Sequence, residues 1–173
     1  MPDSVFMYRM PAGIPGECTR FQTVGTTIAA QVQNNVTPFT SYGTVGTIDT
    51  NGARPILATD TALPTTPVGI SVRPFPASDN TAANPGVVGF GAGVPMPKGI
   101  IDLMFRGYIN MKLNGAAACV KGGAVYVYYG ASTGNHVQGG IEAASGANLW
   151  VLPGAFFTGP ADAQGNTEIQ FNI

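Results

Sequence analysis

Charge is scarce in this chain. Eight basic and nine acidic residues make up 10% of its 173 positions and leave a net charge of −1, where an average soluble protein carries roughly 25% charged residues. So even a balance offers no basic footprint for a nucleic-acid backbone, and nucleic acid is not an expected partner. Histidine occurs once, at His136, and cysteine twice, at Cys18 and Cys119. A zinc site has no ligand cluster to draw on, so no metal or cofactor is expected, and the two thiols are expected to stay reduced. Long apolar runs are missing as well: none approaches the roughly 18 residues of a membrane span, and MPDSVFMYRMPAG lacks the apolar centre of a secretory leader. The expectation is a soluble protein made in the cytoplasm, with no membrane partner. Helical patterning is the last absence. No window of helical length keeps a 3.6-residue apolar period free of glycine and proline, and only IEAASGAN offers as much as one turn.

What is present is turn chemistry and strand chemistry. The 24 glycines and 14 prolines both disfavour helix interiors. Residues 1–20, with three prolines and two glycines, read as an extended N-terminal arm, and residues 21–173 as a single β domain with a long Gly/Pro-rich loop around 76–99. Asn51-Gly52 is the clearest turn signal. GISVRP, residues 69–74, alternates and then breaks on proline, which predicts an edge strand. The longest alternation is IDLMFRGYINMKLNG, residues 101–115. Ile101, Leu103, Phe105, Ile109, Met111 and Leu113 share one parity, and Gly107 interrupts the run at an expected bend or bulge. KGGAVYVYYG and NLWVLPGAFF supply further strands. In the closing TEIQFNI, Ile169, Phe171 and Ile173 alternate with Glu168, Gln170 and Asn172 after a turn at residues 162–166, which reads as a hairpin. The architecture expected is all-β, a β-sandwich or small jelly-roll-like barrel.

Candidate chemistry is thin. Asp49, Asp60, Asp79 and Asp162 stand in turn contexts where aspartate caps backbone groups, which leaves Asp102 as the one acid in mid-strand. His136 sits among small polar residues with no acid or cysteine beside it in sequence and reads as a solvated loop residue. GFGAGV lacks both the glycine spacing and the following helix of a phosphate loop. Asn35-Val36-Thr37 matches a glycosylation acceptor by chance in a chain without a leader. The tyrosines and Phe156-Phe157 read as core or interface filler. Arg9, Arg20, Arg54 and Arg73 are spaced for ion pairs with neighbouring chains. No catalytic, cofactor or metal residue is assigned.

AGIPGECTR, FRGYINMKLNG followed by KGGAVYVYYG, and above all GGIEAASGANLWVLPGAFFTGPADAQGNTEIQFNI resemble the structural cement, or head-decoration, proteins of tailed bacteriophages. That resemblance implies a non-enzymatic virion protein on the outer surface of the head. It would bridge neighbouring major capsid subunits and self-associate as a dimer or trimer. Expected contacts are Phe6, Tyr8, Arg9 and Arg20 in the arm, Phe90 and Met96 in the loop, and Arg106 and Tyr108 on the half-polar face of the 101–115 strand. Two other readings compete: a carbohydrate-binding or depolymerising module of a tail fibre or adhesin, with Asp102 as its acid, and a subunit of a β-rich virion tube.

Overall fold

The structure is a computed structural model and describes residues 13–20, 26–33, 39–73, 95 and 99–173. It is all-β. Nine strands occur among the described residues: β1 (Thr26–Gln31), β2 (Val45–Asp49), β3 (Gly52–Pro55), β4 (Val68–Val72), β5 (Ile100–Lys112), β6 (Ala124–Tyr128), β7 (Ile141–Glu142), β8 (Leu149–Phe157) and β9 (Asn166–Phe171). They form one curled antiparallel sheet in the order β3-β2-β4-β5-β9-β8-β6-β7, and β1 pairs with β5 outside that path. IEAASGAN contributes the two-residue β7 rather than a helical turn.

β5 is the hinge of the architecture. Its first half pairs with β1 and β4, and its second half pairs with β9. The bend falls at Gly107, whose φ of 144° is open to glycine and strained for other residues. One register step earlier, Thr26 faces Arg106 while Thr27 faces Met104, so Phe105 is an extra residue, a bulge. A single extra residue turns every later side chain to the opposite face.

The shared parity read across residues 101–113 is therefore corrected. Met104 packs with Ile109 and Met111 in the main core, whereas Ile101 and Leu103 belong to a second cluster with Val32, Phe39 and Ala53, against which Phe105 packs. The main core is drawn from both ends of the sheet. Val45, Ile56 and Ile70 meet Val125, Val127, Trp150, Leu152, Phe157, Ile169 and Phe171 there, so the curl of the sheet is closed by apolar burial. β8 repeats the device. Trp150 and Leu152 point inward before Pro153-Gly154, Ala155 and Phe157 after it, and Gly154 has φ 71°.

Two other expectations change. β4 is not an edge strand, because it lies between β2 and β5. The strand ends at Val72, two residues before Pro74 in sequence. The closing strand stops at Phe171. Asn172 turns to φ 53° and leaves Ile173 exposed rather than in line with Ile169 and Phe171. Turn aspartates behave as read: Asp49 accepts from the Asn51 amide, Asp60 from Leu57, and Asp162 from Gln164 and Asn166.

Candidate functional site

The outer face of β5, β9, β8 and β6 carries a continuous row of side chains. Residues directly opposite one another in antiparallel pairs share a face. Tyr108 stands opposite Gln170, Gln170 opposite Phe156, and Phe156 opposite Ala124. Phe156 is 47% exposed while its neighbour Phe157 is 2% exposed. The alternation of β8 thus divides the Phe-Phe pair between surface and core.

The described end of the arm pairs antiparallel with the edge of β5 beside this face. Gly16 donates to the Asn110 carbonyl at 2.8 Å, Asn110 donates back to Glu17 at 2.9 Å, and Thr19 donates to Tyr108 at 3.2 Å. Gly16 has φ 86°, and a Cβ there would come within 2.7 Å of Tyr42 Cβ, so only glycine fits the crossing. Arg20 then folds over the Tyr108 ring, its guanidinium carbon 4.1 Å from the centroid.

Glu168 locks this segment in place. It accepts from Thr19 Oγ1 at 2.6 Å, from Thr158 Oγ1 at 2.9 Å, and from Arg20 through Nε at 3.1 Å and a terminal nitrogen at 2.7 Å. Partial burial pushes its carboxyl up, but the hydrogen bonds from Arg20, Thr19 and Thr158 and the Arg20 charge outweigh that and hold it below the usual range. The same bond to Glu168 raises Arg20 above its ordinary value. A carboxylate held below its unfolded value adds stability that is full above that value and is lost as pH falls through the folded one. Acidification below the ordinary glutamate value, about 4.3, and on through the lower value of folded Glu168 is therefore expected to release residues 16–20 before the core melts. Hydrogen exchange at the Gly16 and Thr19 amides, which the arm donates to β5, checks this, and Glu168→Gln should remove the pH dependence.

Arg20, Tyr108, Gln170, Phe156, Thr158 and Lys121 border one open groove along the row. Arg20 neutralises Glu168, and Lys121 has no acidic partner among the described residues. The groove is therefore a shallow aromatic and amide surface with a small positive excess. Such a surface offers stacking and hydrogen bonds to another polypeptide.

Of the contacts expected from sequence, the structure brings Arg20 and Tyr108 together. Arg106 is exposed on β5, two residues before Tyr108. Phe6, Tyr8, Arg9, Phe90 and Met96 lie outside the described residues, as do Asp79 and GFGAGV. Arg54, expected to reach a neighbouring chain, instead pairs with Asp60 at 2.7 Å in its own chain, and Arg73 lies over Tyr42.

His136 is likewise corrected. Its Nδ1 is 2.6 Å from Glu142 Oε1, and its ring stacks on Tyr128 with centroids 5.0 Å apart. Glu142 reaches it because β7 returns beside Tyr126 of β6, a pairing that no local pattern announces. The pair pins the 131–138 loop to the sheet. Asp102 is half-buried mid-strand opposite Ala29 and Val72. Both cysteines are free thiols. Burial first, then the charges of Glu17 and Asp102, push Cys18 above its ordinary value. Among the described residues no three His, Cys, Asp or Glu side chains gather to hold a metal.

The family model described as structural cement protein (E217 gp24/Pam3 gp6) matches residues 1–172. Among solved structures, a chain from the capsid of Myoviridae phage XM1 superposes with a TM-score of 0.67 at 19% identity, covering 95% of this chain and 92% of that one. At that identity the likeness shows a common fold. No curated protein matches the sequence.

Proposed function

The chain belongs to the family of phage structural cement proteins, and on that premise we propose that it binds the outside of an assembled phage head and ties neighbouring major capsid subunits together without catalysing a reaction. The observation that carries this reading is the outward row of Tyr108, Gln170 and Phe156 with Arg20 laid across it. A four-strand platform holds aromatic and hydrogen-bonding groups rigid, so little conformational entropy is lost when a partner docks. Each copy then contributes a modest contact, and a shell presents many copies. The arm of residues 1–20 and the 76–99 loop extend the contact, with Phe6, Tyr8, Arg9, Phe90, Met96 and Arg106 as further shell contacts. Self-association as a dimer or trimer, with no part played by nucleic acid or membrane, belongs to the same reading.

A density map of the native particle tests the proposal. The outer face of β5, β9 and β8 is expected against major capsid subunits on the outside of the shell, and finding that face turned to solvent would overturn it. A second expectation concerns salt. With so few charges and Arg20 already paired, retention on shells should change by less than about tenfold between low and physiological ionic strength, read by co-sedimentation.

A further inference from the structure

Among the described residues, one edge of the sheet is left without a covering strand. β1 pairs with β5 on one side only. On its other side, the tie among the described residues comes after the strand, where Val32 bridges Ala53 in parallel and Gln33 donates to the Ala53 carbonyl. In that register Gly52, the first residue of β3, stands level with Gln31. Thr26–Ala30 lie beyond β3, and along that edge no backbone group of theirs is paired among the described residues.

Edge strands are ordinarily blunted by charge, proline or a covering segment. TTIAAQ carries neither charge nor proline, and Thr26, Thr27, Ile28 and Ala29 are all exposed. Ile28 is 47% exposed although its register partner Leu103 is fully buried in the second cluster. The apolar face of that cluster therefore runs out to the edge and stops at an uncovered isoleucine.

We propose that this edge pairs with β1 of a second copy, antiparallel, about a two-fold axis at Ile28. Side chains alternate between faces, so a two-fold axis normal to the sheet must pass beside a residue and not between two, or apolar residues would meet the polar side. Ile28 is the midpoint of the free stretch Thr26–Ala30. Centring there is the one register that engages all five residues: Ile28 meets its own copy, Thr27 meets Ala29, and Thr26 meets Ala30. Like charges meet nowhere, both exposed isoleucines are covered, and the contact closes on itself as an isologous dimer. The interface is small, so pairing rises with concentration and is favoured where copies crowd on a surface.

The test uses the full chain in solution without shells, so its outcome is independent of shell binding. In a Cys18→Ser background, Ile28→Cys is oxidised at high protein concentration and run on a non-reducing gel. Directly opposed residues are roughly 4.5–5.5 Å apart at Cα, within disulfide reach. A linked dimer is expected as the main species. Thr27→Cys, which faces Ala29 and points to the other side of the sheet, should give at least fivefold less. Ile28→Lys should remove concentration-dependent mass growth in light scattering while keeping the parent melting temperature. Equal linking from both cysteine variants, or no linking from Ile28→Cys, overturns the pairing. Protection of β1 amides only when shells are added would assign the edge to a shell strand and overturn it as well.

Discussion

Gly107→Val is expected to cost about 2–3 kcal/mol of stability and lower the melting temperature by roughly 5–10 °C. Gly107 is buried at φ 144°, a conformation that a β-branched residue pays strain to adopt. Relaxing the backbone is no remedy. The bend and the bulge at Phe105 together let Met104 and Ile109 enter the same core while Leu103 serves the second cluster. A strand straightened through residue 107 would carry the wrong face into one half of the sheet. The loss should therefore show in the cooperativity of thermal unfolding as well as in its midpoint. Ile100→Val, at a position of the same strand that is 80% exposed, should shift stability by less than about 0.5 kcal/mol. An unchanged midpoint for Gly107→Val would show that the positive φ is not what holds the two halves together.

Tyr108→Ala is expected to weaken binding to shells lacking this protein by about 30-fold or more, the cost of truncating an anchor worth roughly 2 kcal/mol. Tyr108 supports Arg20 from below and forms the β5 end of the outward row, so its loss removes a ring, frees the guanidinium and opens the groove at once. Phe156→Ala should act in the same direction. Arg20→Ala in the Tyr108→Ala background should add little, because the two side chains act as one unit. Leu63→Ala, also exposed but in the 61–66 loop away from the row, should stay within about twofold. Co-sedimentation of each variant with stripped heads gives the ranking, with circular dichroism confirming the fold. Equal retention of Tyr108→Ala and Leu63→Ala would remove this face from the interface.

Much of the fold was legible from local pattern. Period-two alternation marked β9 and the length of β5, and a glycine inside a strand marked its bend. Asp49, Asp60 and Asp162 read correctly because such turn contacts need only residues two to four apart. Counting parity through the bulge failed for a definite reason. A bulge adds one residue to the backbone without leaving a signature in the apolar pattern, so Leu103 and Ile109 looked like neighbours on one face. Proline misled at β4 because Pro74 follows the last ladder residue instead of interrupting the ladder.

The candidate site was legible only in its parts. Arg20 and Tyr108 were each expected at an interface, yet nothing in their spacing says that they stack on one another, since residues 16–19 must first pair with β5. Glu168 and Gln170 went unnoticed as site residues, and Phe156 was read only together with Phe157, as core or interface filler. Their shared face follows from β9 pairing with both β5 and β8, and pairing partners distant in sequence leave no trace in a single chain's periodicity. Arg54 and His136 show the converse: Arg54 was expected to pair with a neighbouring chain and His136 to be solvated, and each found a carboxylate of its own chain through a turn or a returning strand.

By itself, then, the amino-acid order determined a chain sparing in charge and, among the described residues, built of strands and turns, because glycine, proline and β-branched spacing act through local backbone sterics. Tertiary structure decided which strands adjoin, which face each side chain takes past a bulge, and which cations remain unpaired. Those outcomes depend on hydrogen-bonded ladders and apolar burial between residues far apart along the chain, and their energy is realised only when the sheet closes on its core.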